Sequence, residues 1–279
     1  MITPSEADFI ASHAYVPEHL PGYVTAISRA EPYLLGDYVC YRAEETLLFI
    51  GYPLRSPFDE KSLMEALRSA ISRFKPAYVA LTAPVISMVR VPVRERNCDH
   101  YYRLDLSQMS IPAKVRNMIR RASKELQVER AGEIHKEHTR LIREFLDSRQ
   151  LREETRYIFE RVPAYVSAVP TAEVFSARDG AGNLVAFDVA EFGSKEYAFY
   201  QFNFCSPKHY VPGASDLLLH EVLTTAQEKE NAFINLGLGI HEGVAHFKLK
   251  WEGRPFLSYE FCRYQPSPRS LFESLLERL

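Results

Sequence analysis

Gly237-Leu-Gly-Ile-His-Glu-Gly-Val-Ala-His-Phe-Lys-Leu-Lys-Trp-Glu-Gly253 reads as the end of a strand, a glycine-rich turn, and a short helix that carries two lysines and closes on a glycine before another strand. Val244, Phe247 and Trp251 fall at i, i+3 and i+7, so the spacing predicts a helix that buries these three and projects Lys248 and Lys250 elsewhere. His241 and His246 have no carboxylate at metal-ligand spacing, and no bound metal is expected.

Upstream, Ala232-Phe-Ile-Asn-Leu236 predicts a buried strand, and Ser215 predicts the cap of a helix running to about Lys229. Before that helix, strands at Ala172–Arg178, Leu184–Phe192 and Glu196–Phe204 are joined by the glycine turns at Asp179–Asn183 and Gly193-Ser194, an antiparallel meander. Farther back lie a strand at Tyr101–Leu106, a helix over 110–125 with Pro112 just inside it, and a strand at Leu126–Arg130. An amphipathic helix over Lys136–Arg149 and one from about Arg156 to Val169 follow. Near the start, a strand at Glu45–Leu54, a helix capped by Asp59 and a strand at Ala77–Pro84 give a weak echo of the same strand, helix, strand order.

Composition bounds the function. The chain has 279 residues, 34 basic against 36 acidic, with 46% hydrophobic and 25% charged residues. That length favours two domains, and the near-neutral balance calls for no polyanion, although a local basic patch still binds phosphate. Cys40, Cys98, Cys205 and Cys262 form no C-x-x-C pair, which argues against zinc or a redox dithiol. The first residues lack the pattern of a signal peptide, and no apolar run approaches the ~20 residues that span a bilayer, so a cytoplasmic protein with reduced thiols and no membrane contact is expected.

Cations gather on the helix Ala113-Lys-Val-Arg-Asn-Met-Ile-Arg-Arg-Ala-Ser-Lys124, where Val115, Met118, Ile119 and Ala122 make the apolar face. Arg116 and Arg120, one turn apart, suit a phosphate-bearing substrate, while a solvated helix face would carry the same pattern. The turn Ser206–Ser215 precedes a helix whose unpaired N–H groups favour an anion. Acid or base candidates on or beside the central strands are Asp188, Glu191, Tyr200 and His220; Asp188 interrupts an apolar strand and is the leading base, with Tyr200 next.

The element order of the second half resembles the GNAT acyltransferases. In them the turn before the helix cradles the pyrophosphate of coenzyme A with Gln or Arg, two residues, Gly, one residue, then Gly or Ala. Gly213 matches the first glycine, Tyr210 stands at the Gln or Arg position, and Ser215 at the final small residue. The resemblance sharpens toward Fem-type aminoacyl and peptidyl transferases and other tandem GNAT proteins. These carry Gly, then Phe-Lys, then an aromatic and Gly near the C-terminus, and a basic helix ending in Arg/Lys-Ala-x-Lys. Gly243 to Gly253 and Arg116 to Lys124 match; Glu252 departs, since a small residue is usual there.

This resemblance implies an α/β tandem GNAT-like fold of mixed sheets with two similar domains side by side, 1–105 and 106–279. It implies transfer of an acyl or aminoacyl group to an amine, with acyl-coenzyme A or aminoacyl-tRNA as donor and no tightly bound cofactor. Lys248 would stabilise an oxyanion or phosphate; Gly213, Ala214 and Ser215 would hold the donor; Arg116, Arg120, Lys250 and Trp251 would bind substrate. A degenerate pair that binds a ligand without catalysis is the alternative.

Overall fold

The computed structural model describes residues 2–87 and 93–266. In chain order the helices are α1 (Pro4–His13), α2 (Pro21–Ser28), α3 (Glu60–Phe74), α4 (Ala113–Ala122), α5 (Lys136–Asp147), α6 (Glu153–Glu160), α7 (Val162–Ala168), α8 (Ala214–Glu228) and α9 (Glu242–Lys250). The strands are β1 (Glu31–Leu35), β2 (Tyr38–Ala43), β3 (Thr46–Ile50), β4 (Tyr78–Ala83), β5 (Val93–Asp105), β6 (Leu126–Ala131), β7 (Ala172–Asp179), β8 (Leu184–Glu191), β9 (Tyr197–Cys205), β10 (Phe233–Leu238) and β11 (Arg254–Tyr264).

Two compact units emerge. One comprises the chain up to Asp8, Arg29–His100 and the chain from Leu257; the other comprises Phe9–Ser28 and Tyr101–Phe256. Set beside the expected domains 1–105 and 106–279, the second unit also takes in residues 9–28, and the first draws a strand from the C-terminal side. The two units repeat one plan. In the first, β1, β2 and β3 form an antiparallel meander, α3 carries the chain over, β4 returns parallel to β3, and β11 lies antiparallel to β4. In the second, β6 to β9 form the meander, α8 crosses over, β10 returns parallel to β9, and β5 lies antiparallel to β10.

Local chemistry fixes the ends of these elements. Asp59 caps α3 by accepting a hydrogen bond from Ser62 N at 2.8 Å, as its sequence predicts, and Leu63, Leu67 and Ala70 bury the inner face. Three expectations are corrected. The helix expected over Arg156–Val169 is two helices, because Pro163 in the first turn of α7 cannot continue α6. Helix α4 begins after Pro112, not within the 110–112 segment. Helix α8 is capped by Gly213, whose φ of 87° suits glycine, and Ser215 makes no cap.

In the second unit the sheet is covered on both faces. Phe175, Ala177, Ala190 and Ala198 pack with Leu218, Val222 and Trp251 on the α8 side. Phe187, Val189 and Phe204 pack with Leu141, Tyr165 and Val166 on the other. Every residue of β8 is therefore buried, Asp188 included.

Candidate functional site

The site begins where the sheet of the second unit loses its regularity. The ladder between β9 and β10 covers Phe233 to Asn235 against Tyr197 to Phe199 and ends there. Asn235 is the cause. Its side-chain oxygen accepts from Gly237 N at 2.8 Å, and a bulge against β5 follows, with Gly237 at φ 77°. The Gly237 N–H is thereby satisfied within β10 itself, and Gly237 leaves the end of the ladder free of a side chain. Asn235 Nδ2 donates to Tyr15 O at 2.8 Å, fixing the bulge from the other side.

Lys248 enters this opening. The sequence pattern sends it outward, but it is the buried residue of α9, 4% exposed, while Leu249 is 52% exposed. The reason is geometric: Lys248 lies at i+4 from Val244, in the middle of the stripe that Phe247 and Trp251 continue. Its ammonium donates to Leu238 O, lies 5.6 Å from the Tyr102 ring centre, and would be 3.6 Å from a Cβ added at Gly237. The carbonyl of Tyr200 lies 3.8 Å from that same point. A cation thus occupies the gap between the diverging strands. Gly253 permits the approach, since a Cβ there would lie 2.8 Å from Leu236 and 2.9 Å from Lys248 O.

Lys250 and Trp251 converge on Asp216, in the first turn of α8. Lys250 Nζ is 2.5 Å from Asp216 Oδ1, and Trp251 Nε1 donates to the same oxygen at 3.0 Å. Both join α9 to the start of α8 and neutralise a carboxylate that would otherwise oppose an anion there.

Beneath the start of α8 lies a polar chain on β8 and β9. Asn203 donates to Asp188 Oδ1 at 2.6 Å, and Ser215 Oγ lies 3.3 Å from Asn203 Nδ2 and 3.2 Å from Cys205 Sγ. Ser215 is therefore turned toward β9. Asp188 has 0% exposure, and burial pushes its carboxyl up to about 8 against a partial offset from Asn203. The Tyr200 phenol is raised well above 10 by burial and then by the Asp188 charge. Asp188 Oδ2 and Tyr200 Oη are both buried and face each other, without a close hydrogen bond among the described residues. Tyr200 thus belongs to both parts: its carbonyl borders the opening and its phenol faces Asp188.

The other acid or base candidates lie apart. Glu191 is on the opposite face, accepting from Tyr165 Oη at 2.6 Å, Thr171 Oγ1 and Gly193 N at 3.1 Å, with burial raising its carboxyl. His220 Nδ1 is buried 3.6 Å from Glu221. His241 caps α9, accepting from Gly243 N at 3.2 Å.

Gly213 also sets the position of α4. A Cβ there would meet Met118 O at 2.9 Å and Ala122 Cβ at 3.4 Å, so α4 and the start of α8 touch through the missing side chain. Val115 and Ala122 are buried, whereas Lys114, Arg116, Arg120, Arg121 and Lys124 are exposed. Arg120 donates to Asn117 at 3.3 Å, and neither Arg116 nor Arg120 has an acidic partner among the described residues. Ala214 N donates to Val211 O at 3.2 Å. Among the described residues, no group of three or more His, Cys, Asp or Glu could hold a metal ion, and no helix is long and apolar enough to cross a membrane.

No protein-family model matches the chain, and no curated protein sequence does. Solved structures do. FemX is similar over 93% of this chain and 96% of its own, at 11% identity and a TM-score of 0.62. L-PGS from Bacillus licheniformis is similar over 96% and 94%, at 14% identity and a TM-score of 0.58. A tandem GNAT protein from the clavulanic acid biosynthesis pathway is similar over 94% of each chain, at 13% identity and a TM-score of 0.55. The fold is the tandem GNAT, Fem-like one. In this tandem GNAT-like chain the exchanged strands β5 and β11 complete the two repeats, and the opening between β9 and β10 belongs to the second.

Proposed function

We propose that this protein transfers an acyl or aminoacyl group from an activated donor to an amine. The observation that carries the reading is the Lys248 ammonium, buried in the opening between β9 and β10. A carbonyl placed there would gain charge on its oxygen as an amine attacks, and a fixed cation in a water-poor site stabilises that charge far better than solvent does. The acyl-transferring proteins among the fold neighbours support the same general reaction.

Arg116 and Arg120 would anchor a phosphate of the donor, beside the first turn of α8 at Gly213, Ala214 and Ser215. Coenzyme A thioesters and aminoacyl-tRNA both present phosphate next to an activated carbonyl. Lys250 and Trp251 act by holding Asp216 and so the start of α8. Asp188, expected from the sequence as the base, keeps its proton up to about pH 8, so with Tyr200 it is suited instead to give a proton to the leaving group near neutrality.

Native mass spectrometry with acetyl-coenzyme A, and separately with charged tRNA, tests the donor. Arg116→Glu with Arg120→Glu, both exposed, should remove the bound mass. Lys248→Ala should retain it and lower turnover by about 100-fold or more. Undiminished turnover by Lys248→Ala would remove the lysine from the reaction, and donor binding without any turnover would favour the non-catalytic alternative.

A further inference from the structure

The face of the sheet opposite Lys248 carries its own polar cluster, which no local sequence pattern announces. Neighbouring residues on β5 point to opposite faces. Tyr102 packs on the α8 side, under Lys248, and Tyr101 turns the other way, donating from its phenol to Glu18 Oε2 at 2.8 Å. Glu18 belongs to the 3-10 turn Pro17–His19, and the bond from Asn235 Nδ2 to Tyr15 O holds that segment against the bulge. Tyr101 is the register partner of Leu238, whose carbonyl anchors Lys248 on the opposite face.

From β9 comes Gln201. The bulge between Val189 and Ala190 breaks the alternation of β9, and Gln201 reaches the Tyr165 phenol on this second face. Its Nε2 is buried without a close hydrogen bond among the described residues. Tyr23 lies beside them, its ring 5.1 Å from that of Tyr165 and 6.3 Å from that of Phe202; burial, and after it the nearby Glu18 charge, keeps its phenol protonated. Glu18 itself is half-buried, and packing around its carboxyl raises its pKa. A carboxylate that accepts from the Tyr101 phenol and lies near a second phenol, that of Tyr23, is chemically suited to a primary ammonium, through charge-assisted hydrogen bonds and cation–π contact.

We propose that Glu18, with Tyr101, Tyr23 and Gln201, forms the acceptor subsite and receives the ammonium group of the acceptor on the face of the sheet opposite Lys248. The inference rests on the acyl-transfer reading. The ammonium gives one proton to Glu18, and the freed lone pair forms the C–N bond. The carbonyl π pair moves onto oxygen toward Lys248; its return breaks the bond to the donor's sulfur or ribose oxygen. That leaving atom takes the departing pair and, through the proton donors at Asp188 and Tyr200, the equivalent of the second amine proton. One proton stays on the amide, and Glu18 returns its own to solvent.

The test uses the full chain and n-butylammonium as probe, with n-butanol as its uncharged counterpart, followed by calorimetry and by the side-chain carboxyl 13C signal of Glu18. n-Butylammonium should bind and n-butanol should not. Affinity should rise with pH as Glu18 ionises, and the 13C titration should move to lower pH when the probe is added. Glu18→Gln should weaken binding by about tenfold or more, the loss expected for a hydrogen bond between charged groups, and Lys248→Ala should leave it unchanged. Equal binding by Glu18→Gln, binding that ignores pH, or no binding by the unmodified chain would overturn the subsite. The pH and 13C measurements need no variant, so they decide even if Glu18→Gln does not fold. If ammonium binding depends on Glu18 but no donor yields transfer, Glu18 is an ammonium site, and its role as acceptor subsite falls together with the transfer reading. If Lys248→Ala abolishes transfer while Glu18→Gln leaves ammonium binding and the amine KM untouched, the transfer reading stands and the subsite falls.

Discussion

Asp188→Asn should change the way stability depends on pH. In the unfolded chain the carboxyl titrates near its ordinary value of about 3.9, while in the folded chain burial pushes it up to about 8. Between these values the folded chain holds a proton that the unfolded chain has lost. The sign follows: the contribution is present in full below about pH 4 and is lost as pH climbs through about 8. The slope is about 1.4 kcal/mol per pH unit, or about 6 kcal/mol across the interval, comparable with the whole stability of many domains. The amide that replaces the carboxyl would still accept the bond from Asn203 and would not titrate. Urea unfolding of both chains at several pH values between about 5 and 9 reads the difference directly. The advantage of the variant should grow by about 1.4 kcal/mol per unit up to about pH 8 and then level off. The buried His138, pulled down to about 4 by burial, contributes with the opposite sign below its ordinary pKa, but it is common to both chains and cancels. Parallel curves would mean that Asp188 is ionised in the folded chain, and its role as proton donor would fall with them.

Other substitutions probe the supports of the site. Gly213→Ala places a Cβ 2.9 Å from Met118 O at a φ of 87°, and should lower stability by about 2 kcal/mol in denaturant unfolding. A bulkier residue at Gly213 therefore perturbs folding as well as any ligand, which is why the exposed arginines of α4 make the cleaner binding test. Lys250→Ala leaves the buried Asp216 carboxylate with the Trp251 indole and should cost about 3 kcal/mol, with Asp216→Asn recovering part of the loss in the same melts. Asn235→Ala removes the acceptor for Gly237 N and the donor to Tyr15 O. It should cost about 2 kcal/mol and lower turnover, because Leu238 O would no longer be set to anchor Lys248.

Much of the second unit is legible in the sequence because its meander, crossover helix and return strand each leave a periodic trace. Asp59 and the stripe from Leu63 to Ala70 likewise announce α3. Lys248 stands out as a residue to watch, yet its charge points the reading outward, while its position at i+4 from Val244 already places it on the buried stripe. Pro163 is visible in the sequence and is enough to divide the helix expected over Arg156–Val169. Ser215 looks like a cap because serine usually is one; only the positive φ available to Gly213 moves the cap two residues back. Glu18 leaves no trace at all. A single acid between Pro17 and His19 acquires meaning through Tyr101, 83 positions away, and through a bulge at Asn235 that no local pattern encodes.

The bond from Asn235 to Tyr15 O joins positions 220 apart in sequence. At a ribosome adding about 5–20 residues per second, Tyr15 is made about 10–45 s before its partner exists. The first unit must wait as well, because β4 gains β11 only when Arg254–Tyr264 has been synthesised. Neither unit can close early and leave the other to follow, so this chain does not mature from its N-terminus in the usual domain-by-domain order. Both units stay incomplete until β10 and β11 have been made, and a nascent chain stalled before residue 233 exposes β4 and β9 as unpaired strand edges of the kind that invite wrong pairing.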